Sequence, residues 1–573
     1  MKAGHGRREG ATVYSRGKRM RDISGQCSFL LGAALSAALQ TSHSLAQGHQ
    51  DWSANLGIYE VNTRQYTGEG TFAAFEGHLD RLKEMGAGIL WFMPIHPIGL
   101  ENRLGTLGSY YSVRDYLEVN PEFGTIEDFR TLVSEIHGRG MQVLIDWVAG
   151  HTSWDNPLTV EHPEWYRRDS DGNFTAPSGT NWSDVVELDY SQPGLRAYMI
   201  EAMKYWALDV GVDGFRCDAV SRVPKDFWEE AIAELRAAKP GLFMLAEADG
   251  RQWHDAGFDM TYAWGLYGFG GGVLKRIADG SGDAADLDRY LTTEGKTYSA
   301  GSYRMVFTSN HDENSWWGTT DELFGEAANA FAVLTATCAG MPLIYSGQEA
   351  GLDKRLLFFD KDSIVWRVHP NADLYSKLLH LKRKNRSLWN GDRGGPRQRV
   401  PTTDDAGFYS FVRQKEGDKV LVALNLSDQV KDVKLLGNSF IGSYRDVFTG
   451  ESVDLAADAV LTLPAWGYFV CEAVRADTDS TGGTGTNGFS LGQNYPNPFK
   501  SVTRIRCVLT TIPEAVLTVC DRTGREVRAP ERVTKQAGGR EILFDAAGLP
   551  SGLYCYRLRA GNRTETKRML LLR

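Results

Sequence analysis

Nowhere in this chain are two cysteines spaced Cys-x-x-Cys, and no short stretch gathers His with Cys. A structural zinc centre needs such a set, so the sequence offers no zinc site. No long basic run follows the N-terminal segment, and the formal net charge is −9. A nucleic-acid partner is therefore not expected. Past the N-terminal segment there is no apolar run long enough to cross a bilayer, so no stable membrane span is expected. A glycine-rich first turn is also missing, because Glu60-Val61-Asn62-Thr63 closes the first strand-like run. That absence argues against a dinucleotide-binding doubly wound sheet.

Residues 1–46 read as a signal peptide. Lys18, Arg19 and Arg21 precede the apolar stretch Phe29 to Leu39, and Ser44-Leu45-Ala46 offers small residues for cleavage. The basic region is long, and a start at Met20 rather than Met1 gives a more ordinary signal. Of the seven cysteines, Cys27 leaves with the signal. Cys217 and Cys338 sit inside strand and helix patterns and are expected as buried thiols. Cys507, Cys520 and Cys555 lie near the C-terminus; one pair among them is open to oxidation, and spacing does not say which.

The chain has 573 residues, too many for one core, so two to four domains are expected. With 42% hydrophobic and 24% charged residues it is globular in composition. Its 15 Trp and 23 Tyr fit either a large core or rings exposed for stacking on sugars. Over residues 51–390 strand-like and helix-like runs alternate. The strands read Leu56–Val61, Gly88–Met93, Met141–Val148, Gly214–Asp218, Phe243–Glu247, Phe258–Tyr262, Arg304–Ser309 and Pro342–Ser346. Helical periods cover Phe72–Met85, Ile126–Arg139, Leu195–Leu208, Asp226–Ala238 and Phe324–Ala339. Eight such strands predict an α/β fold of the (β/α)₈ TIM barrel type. Residues 149–192 have no helical period and read as a small excursion domain after strand three. Residues 391–474 carry short alternating strands and predict an all-β domain, a small sandwich. The Thr/Gly/Ser-rich residues 475–488 read as a linker, and 489–573 as a last β domain.

Three apolar runs end on an acid: Asp218, Glu247 and Asp312. Parallel strands deliver their C-terminal residues to one rim of a barrel, so these acids converge on one site. A pair of carboxylates flanking a glycosidic bond is the minimum for its hydrolysis. Arg216, two residues before Asp218, shares its face. It is expected to keep that carboxylate ionised with a low pKa, as a nucleophile requires. Glu247 needs the reverse, a raised pKa that holds its proton for the leaving oxygen. Asp312 would bind sugar hydroxyls and support the positively charged transition state. His151, beside Asp146 in the third strand, and His311 would donate to hydroxyls of the cleaved ring. Tyr111, after strand two, would stack on a sugar face or pack as a loop aromatic, and spacing leaves both open.

These residues resemble the alpha-amylase superfamily, glycoside hydrolase family 13, in order along the barrel. The stretches are Ile145-Asp146-Trp147-Val148-Ala149-Gly150-His151, Gly214-Phe215-Arg216-Cys217-Asp218, Leu245-Ala246-Glu247 and Thr308-Ser309-Asn310-His311-Asp312. Gly57 to Val61, Gly340 to Glu349 and Val186-Glu187-Leu188-Asp189 fit further regions of that family. The resemblance implies Asp218 as nucleophile, Glu247 as acid/base and Asp312 as transition-state stabiliser. Arg216, His151, His311, Tyr111 and Asp146 are the substrate-binding set. It also implies retention of anomeric configuration through a covalent glycosyl-enzyme. The leading expectation is an exported hydrolase cutting α-1,4-glucan internally. The alternatives are an oligosaccharide glucosidase, a cyclomaltodextrinase-like hydrolase, a glucan transferase, or a non-catalytic glucan-binding relative.

The chain departs from the pattern at Gly150, where the family usually has an Asn whose side-chain oxygen binds calcium. Ser221 and Arg222 stand where many members carry Lys and His. No tightly bound calcium is therefore expected in the usual site, and Asp169-Ser170-Asp171-Gly172-Asn173 is expected as a plain turn. The tail resembles the type IX secretion sorting domain, through Leu491-Gly492-Gln493-Asn494-Tyr495-Pro496-Asn497-Pro498-Phe499, Gly548 to Tyr554 and the basic-apolar end. That implies passage through the periplasm to the cell surface or medium, with the type IX machinery as a partner. A carbohydrate-binding β module is the competing reading.

Overall fold

The computed structural model describes residues 49–268, 271–474, 489–494, 497, 499–509, 513–521, 525–534, 540–561 and 563–571. The expected signal peptide, the linker and part of the Asn494–Phe499 signature lie outside the described residues. The chain divides into two compact units, residues 1–472 and 473–573.

Eight parallel strands close the barrel of the first unit. They are β1 (Ile58–Val61), β2 (Ile89–Phe92), β3 (Gln142–Trp147), β4 (Gly214–Cys217), β5 (Phe243–Ala246), β6 (Met260–Tyr262), β7 (Tyr303–Phe307) and β8 (Met341–Tyr345). Each pairs with its sequence neighbours, and β1 pairs with β8 to close the ring. All eight lie where the sequence places them. Most of their residues are apolar because helices cover the outside and side chains fill the inside. Ile58, Leu90, Leu144, Phe215 and Met244 are all 1% exposed or less.

The helices differ in detail from the periodic runs. The run over Phe72–Met85 forms two helices, Phe72–Glu76 and Leu79–Met85, because Gly77 ends the first turn as its C-cap. The helix from Pro193 to Lys204 widens into a π turn over Tyr205–Val210. The helix expected over Phe324–Ala339 spans Ala328–Thr337. Thr125 and Asp128 form a capping box that starts the helix Ile126–Gly138.

The excursion after β3 is tied by a short antiparallel pair, His151–Ser153 with Val185–Glu187. Asp169 accepts from the amides of Asp171 and Asn173, so its segment is a closed turn. Downstream, a six-stranded sheet and a two-stranded ribbon form the all-β part. The strands Lys431–Lys434, Gly442–Asp446 and Ser452–Leu455 were not legible as alternating runs, being short and mostly exposed. Barrel and sheet share one core that runs from Leu56 to Val470. Buried Arg413, reaching from the sheet, donates to the carbonyls of Cys338, Trp389 and Gly395.

The second unit holds a three-stranded and a four-stranded sheet around its own core, from Leu491 to Leu571. Cys217 and Cys338 are fully buried, as expected. Cys507 is buried in the tail's core, whereas Cys520 and Cys555 face each other on adjacent antiparallel strands. Among the described residues no helix is long and apolar enough to cross a membrane.

Candidate active site

The C-terminal ends of the barrel strands surround a cavity of about 900 Å³. Tyr111, His151, Asp218, Glu247 and Asp312 line it. Asp218 follows β4, Glu247 follows β5, and Asp312 follows β7, so three separate strands aim acids at one space.

Arg216 is the hub beneath them and is fully buried. Its Nη1 lies 2.9 Å from Asp218 Oδ1 and 2.9 Å from Asp146 Oδ1, and its Nη2 lies 2.8 Å from Glu247 Oε1. Its Nε donates to Tyr262 Oη at 3.2 Å, and the Trp91 ring lies 5.1 Å from the guanidinium carbon. One planar cation thus holds three carboxylates, which a lysine point charge would not orient.

Burial raises Glu247 to about 7; Arg216 opposes this, and Asp218 and Asp312 add to it. That is the direction a general acid needs. Asp218 departs from expectation. Arg216 does pull it down, but burial and the anions Asp146 and Asp312 outweigh the cation, and Asp218 rises to about 6. The guanidinium is shared among three acids, so no single one receives its full field.

Asp146 is completely buried, holding Arg216 and accepting from Tyr111 Oη at 3.1 Å. Arg216, Asp146 and His311 therefore lie behind the cavity surface, while Tyr111 and His151 lie on it. His311 Nε2 is 2.7 Å from Tyr111 Oη and 3.5 Å from Asp312 Oδ2. Its Nδ1 is 2.5 Å from Glu60 Oε1 on β1. Burial lowers the His311 pKa, yet Asp312 and Glu60 outweigh it and bring it to about 9, so the ring is a cation at neutral pH. Burial lowers His151 to about 4, so that ring is neutral, and its Nδ1 has no partner among the described residues.

Glu60 was missed as a functional candidate, although its strand is part of the resemblance. A carboxylate midway along an apolar barrel strand was the available signal. The cavity's aromatics were missed individually as well. Trp91, Trp147, Trp206 and Trp228 belong to the core, whereas Trp182, Trp316 and Trp317 are 36%, 50% and 47% exposed and line the cavity.

The residues around Gly150 do not fit a calcium ion. Gly150 supplies no side-chain oxygen, and a Cβ there would meet Arg222 Cβ at 3.7 Å. The Arg222 guanidinium donates to Ser178 O at 3.1 Å and covers the Trp182 ring at 4.8 Å. Among the described residues no three acids, histidines or cysteines gather as a metal set. A hard cation needs several oxygens, and here an arginine already brings positive charge to the excursion segment.

Residues 60–172 match the family described as alpha amylase, catalytic domain; residues 399–470 match maltogenic amylase, C-terminal domain; and residues 493–571 match secretion system C-terminal sorting domain. An alpha-amylase structure from Lactobacillus plantarum is 32% identical, with a TM-score of 0.66 over 74% of this chain and 100% of that one. A noncanonic maltogenic alpha-amylase, AmyB from Thermotoga neapolitana, is also 32% identical, with a TM-score of 0.66 over 74% of this chain and 99% of that one. Alpha-amylase MalA of Haloarcula japonica is 28% identical over 449 residues, which are 72% of this chain. The match spans 62% of that relative's length.

Proposed function

Since this chain belongs to the alpha-amylase family and is a glycoside hydrolase, we propose that it cleaves α-1,4-glucosidic bonds of starch-like glucans with retention, after export. In this reading Asp218 attacks the anomeric carbon while Glu247 gives its proton to the departing glycosidic oxygen. The bond to the leaving sugar breaks as the Asp218 ester forms. Glu247, now ionised, takes a proton from water, whose oxygen attacks the same carbon and releases Asp218. Asp312 and His151 hold hydroxyls of the reacting ring, and Tyr111 covers its face. Arg216, His311 and Asp146 position these groups from beneath. The observation that carries the reading is the single buried guanidinium within 2.9 Å of both Asp218 and Glu247. It fixes an acid and a nucleophile relative to each other before substrate arrives.

The test is hydrolysis of soluble starch by Asp218→Ala and Glu247→Gln. Each should lose about 10²–10⁴ in kcat while keeping the fold. The first-formed reducing end, read by NMR, should be the α anomer. Near-native activity in either folded variant removes that residue from the mechanism, and a first-formed β anomer removes retention. The tail's match to sorting domains supports export by type IX secretion machinery to the surface or medium. We assign residues 1–46 to a signal, 51–390 to the barrel with its excursion at 149–192, 391–474 to the all-β domain, 475–488 to a linker and 489–573 to the sorting domain.

A further inference from the structure

The C-terminal unit carries three cysteines whose pairing the sequence leaves open, and strand register separates them. Cys507 lies on the strand Val502–Leu509 of the three-stranded sheet. Its partners across that sheet are Leu491 and Arg540, and it is 1% exposed. Burial pushes its thiol up to about 12, so it stays protonated and inert. Cys520 and Cys555 belong to the four-stranded sheet, on the neighbouring antiparallel strands Glu514–Asp521 and Gly552–Ala560. They stand directly opposite each other in the ladder, both half-buried and both free thiols in the structure.

Three features suit this pair to a bond. The first is distance. Opposite residues of an antiparallel ladder have Cα atoms about 5.5 Å apart in a hydrogen-bonded pair and about 4.5 Å apart otherwise. Native disulfides span about 4.4–6.8 Å, so either kind of pair is bridged without moving the strands. The second is direction, since opposite residues project from the same face of a sheet. Val519, Tyr554 and Tyr556 point into the core of the unit, which leaves Cys520 and Cys555 on the outer face. The third is charge. Arg568 stands opposite Cys555 on the next strand, and Arg557, two residues on, shares the same face; both are exposed. Burial raises the Cys520 thiol above its ordinary value, and Arg557 opposes that. A nearby cation favours the thiolate, which is the attacking species.

We propose that Cys520 and Cys555 form a disulfide once the chain has left the cytosol, and that this bond staples the C-terminal unit. The inference rests on the reading that the chain is exported, because outside the cytosol thiols meet disulfide-bearing oxidants. One cysteine thiolate attacks the disulfide of an exported thiol oxidase, and one oxidant sulfur leaves as a thiolate. The other cysteine then attacks its partner's sulfur in that mixed disulfide, and the oxidant departs as a dithiol. The two cysteines lose two electrons and two protons, and the oxidant gains them. The bond closes residues 521–554 into a loop. That loop holds the strands Glu531–Thr534 and Arg540–Asp545, one from each sheet of the unit. Closing it restricts the unfolded chain, so the staple stabilises both sheets although it joins only two strands.

The full chain is produced in the periplasm of a bacterial expression host, alkylated on lysis, and digested with trypsin and a protease that cuts after glutamate. Cutting after Glu514 separates Cys507 from Cys520. Mass spectrometry should find residues 515–522 joined to 542–557, and reduction should split the product into its two parts. Both cysteines alkylated, or either one joined to Cys507, overturns the proposal. Protein made in the cytosol and equilibrated with a glutathione redox pair separates the bond from export. There too the bond between Cys520 and Cys555 should form, without stable glutathione adducts. A glutathione adduct on each cysteine in place of the bond overturns the staple and leaves export standing, whereas enzyme that fractionates with its own host's cytosol ends the export reading. In the variant Cys520→Ser/Cys555→Ser the C-terminal unit should melt at least about 5 °C below the oxidised parent, with starch hydrolysis unchanged. An unchanged melting temperature of that unit would end the stapling role.

Discussion

Glu247 and Asp218 set both the rate and the stability of this site, with opposite preferences. A productive enzyme needs Asp218 ionised and Glu247 protonated. Burial brings Asp218 to about 6 and Glu247 to about 7, so kcat/KM should fall below roughly pH 6 and above roughly pH 7. The two limbs belong to the coupled pair and not to either acid alone. A flat profile from pH 5 to pH 9 would contradict this. The stability sign follows from the same shifts. The ordinary values are 3.8 for an aspartate such as Asp218 and 4.5 for a glutamate such as Glu247. Between those and the folded values, the folded state binds protons that the unfolded chain has lost. The stabilisation is complete below the unfolded values and is lost as pH rises through 6 and 7. Glu247→Gln removes one such burden, so its Tm at pH 8 should be no lower than the parent's, with the advantage shrinking by pH 5. A lower Tm at pH 8 would mean that the contact with Arg216 outweighs the cost of burying the charge. The acids that line the cavity were legible because each ends an apolar run. The field of Arg216 was not, because sequence gives its neighbours along one strand and not the two further carboxylates that share it. Glu60 was hidden for a similar reason: its partner His311 lies 251 residues away.

At the level of elements, an arginine side chain and a backbone pair tether the excursion segment. Arg222 reaches from the 3₁₀ turn after β4 to Ser178 O and Trp182, and Leu188 N donates to Gly150 O at 3.1 Å. A guanidinium cannot be chelated away, so EDTA should leave Tm unchanged to within a degree or so and leave starch hydrolysis intact. A large EDTA-induced drop, restored by calcium, would show that other oxygens rebuild a site. Arg222→Ala should loosen the segment, seen as faster proteolysis between residues 165 and 185, with lower activity. Substitution without change in either would assign the tether to the backbone pairing alone. The barrel strands were legible because a parallel strand buried on both faces is a continuous apolar run with few competing readings. The strands between residues 431 and 455 were not, because each is only four or five residues long and mostly exposed, too short to show a clear alternation.

Across the whole molecule, chemistry and export separate along the chain. The cavity is lined by residues between Leu104 and Phe359, all in the first unit. The core of that unit runs on into the six-stranded sheet as far as Val470, so the sheet is part of what keeps the barrel folded. Removing residues 391–474 should therefore unfold the enzyme, since it exposes Arg413's carbonyl partners and a shared apolar face. The second unit closes its own core from Leu491 to Leu571. A chain ending near residue 475 should keep kcat on soluble starch within about twofold, since a unit with its own core folds and is lost independently. In its host the shortened protein should collect in the periplasm and not at the surface or in the medium. Fractionation followed by activity assay checks this. Normal secretion of the shortened chain would end the sorting role. Normal secretion with a selective loss of binding to granular starch would assign the tail to holding an insoluble substrate, because a tethered second contact matters most where the substrate cannot diffuse.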